Sequence, residues 1–533
     1  MRNRWKRASI AILLAVALAV FPVITPEIHA QGKAKGKQVE LHLLSINDFH
    51  GQLNTTQTIG GKPAGRADYL AAYLKERQRK HPNTWLVHAG DVVGASPPVS
   101  ALLQDEPTVE ILNKLGFDVG TLGNHEFDEG VQEMMRLIHG GEHEKTGYFS
   151  GADFPYTAAN VVWEKTGKPI LPPHVIKRVK GIPVGFIGVV TKETPTIVTP
   201  TGVKGVKFTD EAEAINREVK QLKKKKVKAI IVLAHEGGYQ DSASGKMEGP
   251  IVDITKKLDN EVDVVIAGHS HTHLNGMVDG KLVVQAYSYG SAFADIDLTL
   301  DHQSKDIVKK KAEVVTTYHE GIQPDPEIGR LVEKYEEKVA PLINREVGKA
   351  AQRLTRDASP AGESAMGNLI ADSQRWKTGT EFALMNPGGI RADLEAGAVT
   401  WGDLFAVQPF GNDLVTMTLT GDQLKRVLEQ QWQQDRPRFL QISGFTYTWD
   451  DSRPAGDRVL SLQKADGTPI DPQASYTVTA NSFIAAGGDN FTVFTEAKDQ
   501  VVGPVDLDAL VDYVEQLPQP FSATIEGRIQ KAN

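Results

Sequence analysis

Five apolar segments of this 533-residue chain are each followed by histidine, carboxylate or amide side chains, and this recurrence limits the folds that the chain can adopt. A further strand is predicted over 156–162, and the strands that correspond to the five segments are 39–46, 84–89, 117–122, 228–233 and 262–267. The polar residues just after them are Asp48, His50, Asp91, Asn124, His235, His269 and His271. Carboxyl ends of neighbouring strands in an open α/β sheet meet at one edge. Because predicted helices such as 64–79 and 211–226 separate the strands, we expect an α/β domain with these side chains along one edge.

The types of these residues indicate a metal centre. A single histidine at a strand end is more often structural, but such residues at five strand ends, mostly beside glycine, are hard to explain as core packing. The chain has no cysteine, so a metal must be held by nitrogen and oxygen ligands. This set suits two divalent ions such as zinc, manganese, iron or cobalt, with magnesium or calcium also compatible. A shared carboxylate, most simply Asp91, would hold them about 3.5–4 Å apart, the arrangement of two-metal phosphoryl-transfer sites.

The segment Leu122–Asp128 carries a second chemical signal. His125 adjoins the candidate ligand Asn124, so its imidazole is placed to meet a phosphate, and Asp128 follows three residues later, where it can orient that imidazole. A cationic imidazole beside a phosphate stabilises the charge that develops in phosphoryl transfer.

These motifs resemble those of the calcineurin-like metallophosphatases. Residues 38–525 as a whole resemble the secreted two-domain 5′-nucleotidase family, which includes UDP-sugar hydrolases and 2′,3′-cyclic-nucleotide phosphodiesterases. The shared motifs of the first domain are Asn47–Gly51, Gly90–Asp91, Gly123–Asp128 and Gly268–His271. Those of the second domain are Met366–Leu369, Asn386–Arg391, Pro409–Asn412 and Gly487–Asp489.

The resemblance implies a fold and a set of domain boundaries. We expect an N-terminal four-layer α/β sandwich, in which two sheets are flanked by helices, over residues 38–320. A helical linker and hinge over 321–346 would join it to a smaller α/β substrate-binding domain over 347–530.

The resemblance also implies roles for the strand-end residues. One metal would be held by Asp48, His50, Asp91 and His271, and the other by Asp91, Asn124, His235 and His269. His125 and Asp128 match the pair that stabilises the phosphate in the transition state and protonates the leaving group. The implied reaction is 5′-nucleotidase hydrolysis by a metal-activated hydroxide, which converts a nucleoside 5′-monophosphate to nucleoside and phosphate.

The second half of the chain offers residue types that suit a nucleotide. An arginine after a Gly-Gly turn can fork onto a phosphate, and two aromatic rings can stack on a base. Composition alone does not select two rings among 18 phenylalanines, but the resemblance does. It assigns base stacking to Phe410 and Phe483, a ribose contact to Asp489, a phosphate contact to Arg391, and further binding positions to Asn386 and Asn412. The family often has an arginine just ahead of Met366; here Arg353 and Arg356 lie further upstream and remain unassigned.

Residues 1–30 have the pattern of a secretory signal peptide. A basic start precedes an apolar run from Ala8 to Ile24, and cleavage is expected after Ala30. We therefore predict a secreted protein, extracellular or periplasmic, with no stable membrane insertion after cleavage; a retained membrane anchor is the alternative. The net charge of −8 argues against nucleic-acid polymers as partners, and we predict a monomer that acts on small nucleotides.

Other activities remain open at this point. The metal site contacts only phosphate, so 2′,3′-cyclic-nucleotide 2′-phosphodiesterase with 3′-nucleotidase activity, or UDP-sugar hydrolysis, would use the same ligands. A non-catalytic nucleotide-binding surface protein is the alternative from another class. It is disfavoured because such a relic is expected to have lost ligands, and all seven are present together with His125.

Overall fold

The computed structural model describes residues 38–433 and 436–532. The predicted signal segment, 1–30, lies outside the described residues.

Two six-stranded sheets form the centre of the N-terminal half. The first sheet has the strand order Asp306–Thr316, Ala292–Asp301, Gln38–Ile46, Thr84–His88, Phe117–Thr121 and Tyr156–Thr157. The second has the order His174–Val179, Ile182–Val190, Ala229–His235, Val262–Ala267, Lys281–Ala286 and His273–Val278. Neighbouring strands in the middle of each sheet run parallel, whereas the outer pairs include antiparallel ones.

The central strands are apolar on both faces because both faces are covered. Every residue of Ala229–His235 and of Val262–Ala267 is buried, as expected for inner parallel strands. One hydrophobic core lies between the sheets and joins residues such as Leu41 and Val87 of the first to Phe186 of the second. Two further cores cover the outer faces of the sheets.

Helices form the outer layers of this half. The first sheet packs against Ala67–Lys80, Glu106–Leu115 and Val131–His139, and the second against Glu211–Lys224 and Pro250–Lys256. Shorter helices span Pro98–Ala101 and Thr194–Ile197. The order helix, sheet, sheet, helix confirms the predicted four-layer α/β sandwich.

Two local predictions were wrong. The first helix begins at Ala67 and not at residue 64, because Lys62–Gly65 pairs with Thr56–Ile59 in a hairpin and Arg66 has φ 67°. The apolar run 156–162, predicted as one strand, is two short strands, Tyr156–Thr157 and Val161–Trp163, which belong to different sheets.

The predicted linker forms the helix Pro326–Ile343. Asp325 caps its N-terminus by accepting hydrogen bonds from the N–H groups of Glu327 and Ile328. The helix buries an apolar stripe that includes Val332 and Tyr335 in the same core as the helix Ala67–Lys80. The linker helix is therefore an integral part of the N-terminal core.

The C-terminal half is a smaller α/β unit. Its main sheet has the strand order Gln441–Ser443, Phe382–Met385, Ser475–Asn481, Asp413–Thr420 and Lys498–Val505. A three-stranded sheet consists of Val459–Lys464, Phe445–Trp449 and Ile529–Lys531, and Glu346–Ala350 pairs with Gly397–Thr400. The helices are Ala365–Thr378, Trp401–Val407, Gly421–Glu429, Ser482–Ala485 and Asp506–Gln516. Among the described residues, no helix has the length and apolar character needed to cross a bilayer.

Candidate active site

The loops after five strands meet at the shared carboxyl edge of the two sheets. The backbone N–H of Asp48 donates to the carbonyl of Gly90 (3.1 Å), which joins the first two loops. The third loop is equally close, since a Cβ on Gly123 would lie 2.1 Å from Oδ1 of Asp91. Only glycine fits at this contact, which explains why glycine precedes Asn124 in the motif.

The first group of candidate ligands is Asp48, His50 and His271, whose ligand atoms lie within 4.8 Å of one another. Nε2 of His271 is 3.3 Å from Oδ1 of Asp48 and 3.3 Å from Nε2 of His50. Asp91 is close as well, with its Oδ2 3.7 Å from Nε2 of His50. This is the first of the two predicted metal positions.

The second group is Asp91, His235 and His269, again within 4.8 Å. Nε2 of His235 lies 3.0 Å from Oδ2 of Asp91 and 3.1 Å from Oδ1 of Asn124. Oδ2 of Asp91 therefore faces both groups, and Asp91 would be the carboxylate that two bound ions share.

The hydrogen bonds of the candidate ligand histidines turn ring nitrogens that can bind a cation towards the cluster. Nδ1 of His50 donates to the carbonyl of Gly94 (2.8 Å) and Nδ1 of His235 to that of Ala89 (2.8 Å), so Nε2 of both rings faces the cluster. Burial holds the pKa of His50 well below its ordinary value and lowers the pKa of His269 to about 3, so both rings are neutral donors. Burial also lowers the pKa of His235, but the charge of Asp91 outweighs it and raises that pKa to about 10, so a cation bound there would replace the proton between His235 and Asp91. The residues present fit divalent metal ions.

Five of the seven candidate ligands have backbone conformations in the left-handed region. Their φ values are 50° for Asp48, 48° for His50, 50° for Asp91, 71° for His269 and 56° for His271. Such conformations are costly for residues other than glycine and collect at functional sites. The loops are thus held in shapes that aim these side chains at one place.

His125 and Asp128 form the expected pair. Nδ1 of His125 donates to Oδ2 of Asp128 at 2.8 Å, and the backbone N–H of His125 donates to Oδ1 of Asp91 at 2.8 Å. Burial lowers the pKa of His125, but the charges of Asp128 and Asp91 raise it, and the resulting pKa lies above the ordinary value. The ring is suited to act as a cation beside an anionic substrate.

Glu126 is a buried carboxylate whose role the motif did not reveal. It accepts hydrogen bonds from the backbone N–H groups of Asp91 (2.9 Å), Val92 (2.9 Å) and Gly123. Burial and the charge of Asp91 raise its pKa to about 7, while these N–H donors act in the opposite direction. Its side chain ties two ligand-bearing loops together.

A cleft of about 1680 Å³ joins this cluster to the C-terminal half. All six residues that the resemblance assigned to substrate line it: Asn386, Arg391, Phe410, Asn412, Phe483 and Asp489. The ring of Phe410 stacks against that of His125 with 5.8 Å between centroids. The guanidinium of Arg391 lies 5.8 Å from the centroid of the Phe410 ring. The binding residues and the metal ligands therefore share one cavity.

Arg391 has features of an anion-binding residue. Its Nε is buried and has no hydrogen-bond partner within the described structure. Arg356 also lines the cleft and donates from Nη1 to the carbonyl of Arg391 (2.8 Å). Arg353 instead pairs with Asp393 (2.9 Å) and Glu395 (3.1 Å). The two arginines that the sequence left unassigned are thereby distinguished: Arg356 is at the cleft.

The pair of aromatic rings is supported by its surroundings. Phe483 lies against Gly488, where a Cβ would be 2.4 Å from the ring. The neighbouring Asp489 accepts a hydrogen bond at Oδ2 from Nδ2 of Asn386 (2.9 Å). Oδ1 of Asn412 accepts from the hydroxyl of Ser482 (3.2 Å). These contacts bring the predicted base and ribose positions to the same wall of the cleft.

Comparison with known proteins agrees with this arrangement. Residues 41–273 match the calcineurin-like phosphoesterase model and residues 346–496 match the C-terminal domain of 5′-nucleotidase. The crystal structure of a 5′-nucleotidase precursor from Thermus thermophilus superposes with a TM-score of 0.81 at 32% identity, and covers 93% of this chain and 100% of that one.

Two curated relatives are longer than this chain. Endonuclease YhcR of Bacillus subtilis is 43% identical over 99% of this chain, which spans 44% of the length of that relative. Cell wall protein Lmo0130 of Listeria monocytogenes is 35% identical over 99% of this chain and 74% of its own length. The resemblance found in the motifs is confirmed: the chain is a metal-dependent phosphoesterase and belongs to the 5′-nucleotidase family, with an N-terminal calcineurin-like phosphoesterase domain and a 5′-nucleotidase C-terminal domain.

Proposed function

We propose that this protein is a 5′-nucleotidase that releases phosphate from nucleoside 5′-monophosphates with the help of two divalent ions. The observation that carries the proposal is the position of Phe410, whose ring is flanked by Arg391 and by His125, the neighbour of the candidate ligand Asn124. A nucleotide whose base stacks on Phe410 would thus have its 5′-phosphate within reach of His125, of Arg391 and of the metal ligands.

The contacts of each residue support a separate role in the reaction. Divalent ions at the two ligand groups would supply a water of lowered pKa and would neutralise phosphate charge. Arg391, with its unpaired Nε, holds the phosphate, and His125, oriented by Asp128, stabilises charge on it and gives a proton to the departing ribose oxygen. Phe410 and Phe483 hold the base, and Asp489 contacts the ribose.

We further propose that residues 1–30 direct export of the protein. The basic and apolar pattern of that segment supports this, and the Listeria relative is named a cell wall protein. N-terminal sequencing of the exported protein tests the proposal. A mature chain that starts at Gln31 is expected, and a protein retained in the cytoplasm with Met1 intact would refute it.

Phosphodiester hydrolysis is the second candidate. The Bacillus relative is named an endonuclease at 43% identity, and a phosphate bound at the ligand cluster would be held in the same way whatever group is attached to it. This candidate uses the same metal ligands and differs in the group that the C-terminal half binds.

A substrate panel separates the candidates. Phosphate release is measured from AMP and 3′-AMP, the monophosphate products of UDP-glucose and 2′,3′-cyclic AMP are quantified by chromatography, and cleavage of a single-stranded oligonucleotide is followed in parallel. Each reaction is run with manganese, zinc, magnesium or chelator. The proposal expects AMP to have the highest kcat/KM, with activity lost in chelator. A clear preference for the cyclic or polymeric substrates would transfer the assignment to a phosphodiesterase, and a preference for 3′-AMP would transfer it to a 3′-nucleotidase.

A further inference from the structure

A chain of buried amides runs behind the wall of the cleft that carries Phe483 and Asp489. It begins at Asn481, the last residue of the strand Ser475–Asn481, which is fully buried and does not line the cleft. Its Oδ1 accepts a hydrogen bond from the backbone N–H of Ile484 at 3.0 Å. Its Nδ2 donates to Oδ1 of Asn386 at 2.9 Å. Both ends of this one amide are therefore engaged.

The chain continues to the predicted ribose contact. Nδ2 of Asn386 donates to Oδ2 of Asp489 at 2.9 Å. A backbone N–H can only donate and a carboxylate can only accept, so the two fixed ends of the chain determine which way each amide points. Every link runs in one direction, from Asn481 through Asn386 to Asp489.

The first link acts on the ring that is expected to stack on the base. By accepting from Ile484, Asn481 caps the short helix Ser482–Ala485, which contains Phe483. That ring packs on Gly488, one residue before Asp489. The orientation of the ring and the path of the following loop are therefore set from the same side chain.

The second link acts on a strained residue. Asp489 has φ 53°, a conformation that persists only where the surroundings enforce it. The bond from Asn386 fixes the plane of its carboxylate, and Nε of Arg438 lies 3.9 Å from its Oδ1. Loss of the amide chain would remove this bond to Oδ2 without removing the carboxylate.

We infer that Asn481 is a positioning residue for nucleoside recognition, which acts through Asn386 on the ribose-binding Asp489 and through its helix cap on Phe483. The inference rests on the proposed function, because it requires that a nucleotide occupies the cleft. It predicts that Asn481 determines how well the enzyme distinguishes a ribonucleotide from a deoxyribonucleotide, although no atom of Asn481 touches substrate.

The substitution Asn481→Asp separates the two links. A carboxylate still accepts from the N–H of Ile484, so the helix cap is retained. It cannot donate to Asn386, whose amide must then turn and present its oxygen to Asp489. Steady-state kinetics of the full-length protein are compared for AMP, 2′-deoxy-AMP and 3′-deoxy-AMP.

We expect the wild type to favour AMP over at least one deoxynucleotide, and Asp489→Ala to abolish that preference. Asn481→Asp should reduce the preference about tenfold through KM for AMP, with kcat nearly unchanged, since the loss corresponds to one hydrogen bond to a charged group. Asn481→Ala, which also lacks the cap, should raise KM for all three nucleotides in addition.

Thr479→Val is the matched control. Thr479 is a fully buried residue of the same strand, and its hydroxyl bonds with those of Thr378 (2.7 Å) and Thr380 (2.8 Å), away from the amide chain. Its loss should lower the melting temperature and leave the preference for AMP at the wild-type value.

The outcomes distinguish the inference from the function on which it rests. Absence of nucleotide hydrolysis by the wild type would overturn both. Hydrolysis in which Asp489→Ala loses the preference while Asn481→Asp keeps it would overturn the inference alone. The inference also fails if the wild type shows no preference, or if Asn481→Asp affects all three nucleotides equally, as a purely structural residue would.

Discussion

Glu126→Gln is the perturbation that tests most sharply how the metal loops are held together. The carboxylate of Glu126 accepts three backbone hydrogen bonds: Oε2 from the N–H groups of Asp91 and Gly123, and Oε1 from that of Val92. Glutamine keeps the shape but turns one of the two oxygens into a donor. At least one buried N–H then faces an NH₂ group, which costs about 2–3 kcal/mol when the lost partner was charged.

Part of that free energy is expected to appear in metal binding, because Asp91 faces both ligand groups. A loss of about 1.4–2.8 kcal/mol corresponds to a 10- to 100-fold weaker metal affinity, the range usual for residues that support metal ligands. The assay is the manganese concentration that restores half of the AMP hydrolysis to chelator-treated protein. We expect this concentration to rise about 10- to 100-fold in Glu126→Gln.

Glu129→Gln provides the control, since it makes the same change three residues away on an exposed side chain. It should leave the manganese requirement unchanged. The reasoning is refuted if Glu126→Gln has the wild-type manganese requirement and wild-type turnover, because the three backbone bonds would then have no influence on the site.

Three further predictions follow from the same structure. Phe483→Ala should raise KM for AMP about tenfold or more, because stacking on a base contributes about 1–3 kcal/mol; an unchanged KM would place the base elsewhere. Asp128→Asn removes the charge that stabilises the His125 imidazolium and should lower kcat about 100-fold or more with metal content unchanged, as measured by steady-state kinetics and elemental analysis. The pKa of Asp263 is raised to about 7 by burial, against the opposing charge of Lys310. Since its folded-state pKa is raised, the stability that Asp263 contributes is present below about pH 4 and is lost as the pH rises through 7. In urea unfolding, the free energy of unfolding of Asp263→Asn should therefore rise by about 2–4 kcal/mol relative to that of the wild type between pH 4 and pH 8. A difference that stays constant with pH would contradict this.

The convergence of the metal ligands could be predicted because it follows from strand order alone. Carboxyl ends of parallel strands share an edge, so residues as distant as Asp48 and His271 were expected to meet, and the structure brings them to 3.3 Å. The outer layers were expected from the family resemblance, and the structure gives their physical reason: strands that are apolar on both faces require cover on both sides.

Contacts that depend on loop shape were not predictable from the sequence. Nothing local to Glu126 indicates that it turns back to the loop of Asp91, because this depends on the close approach of two loops at Gly123. Arg356 and Arg353 both contact Asp393, and only the folded chain shows that Arg356 lines the cleft. Phe410 and Phe483 could be selected only through the family resemblance, because the sequence around a phenylalanine beside a turn does not indicate whether its ring faces a core or a cleft.

The most direct test of the central claim is the metal content of Asp91→Asn measured together with its AMP hydrolysis. Asp91 is the carboxylate that faces both ligand groups, so the account predicts two divalent ions per chain in the wild type, and at most one, with AMP hydrolysis lost, in Asp91→Asn. Asp297→Asn is the control, because Asp297 belongs to another cluster of a histidine and two aspartates among the described residues, beside Lys311. It should retain two ions and full activity. Two ions and wild-type AMP hydrolysis in Asp91→Asn would contradict the account.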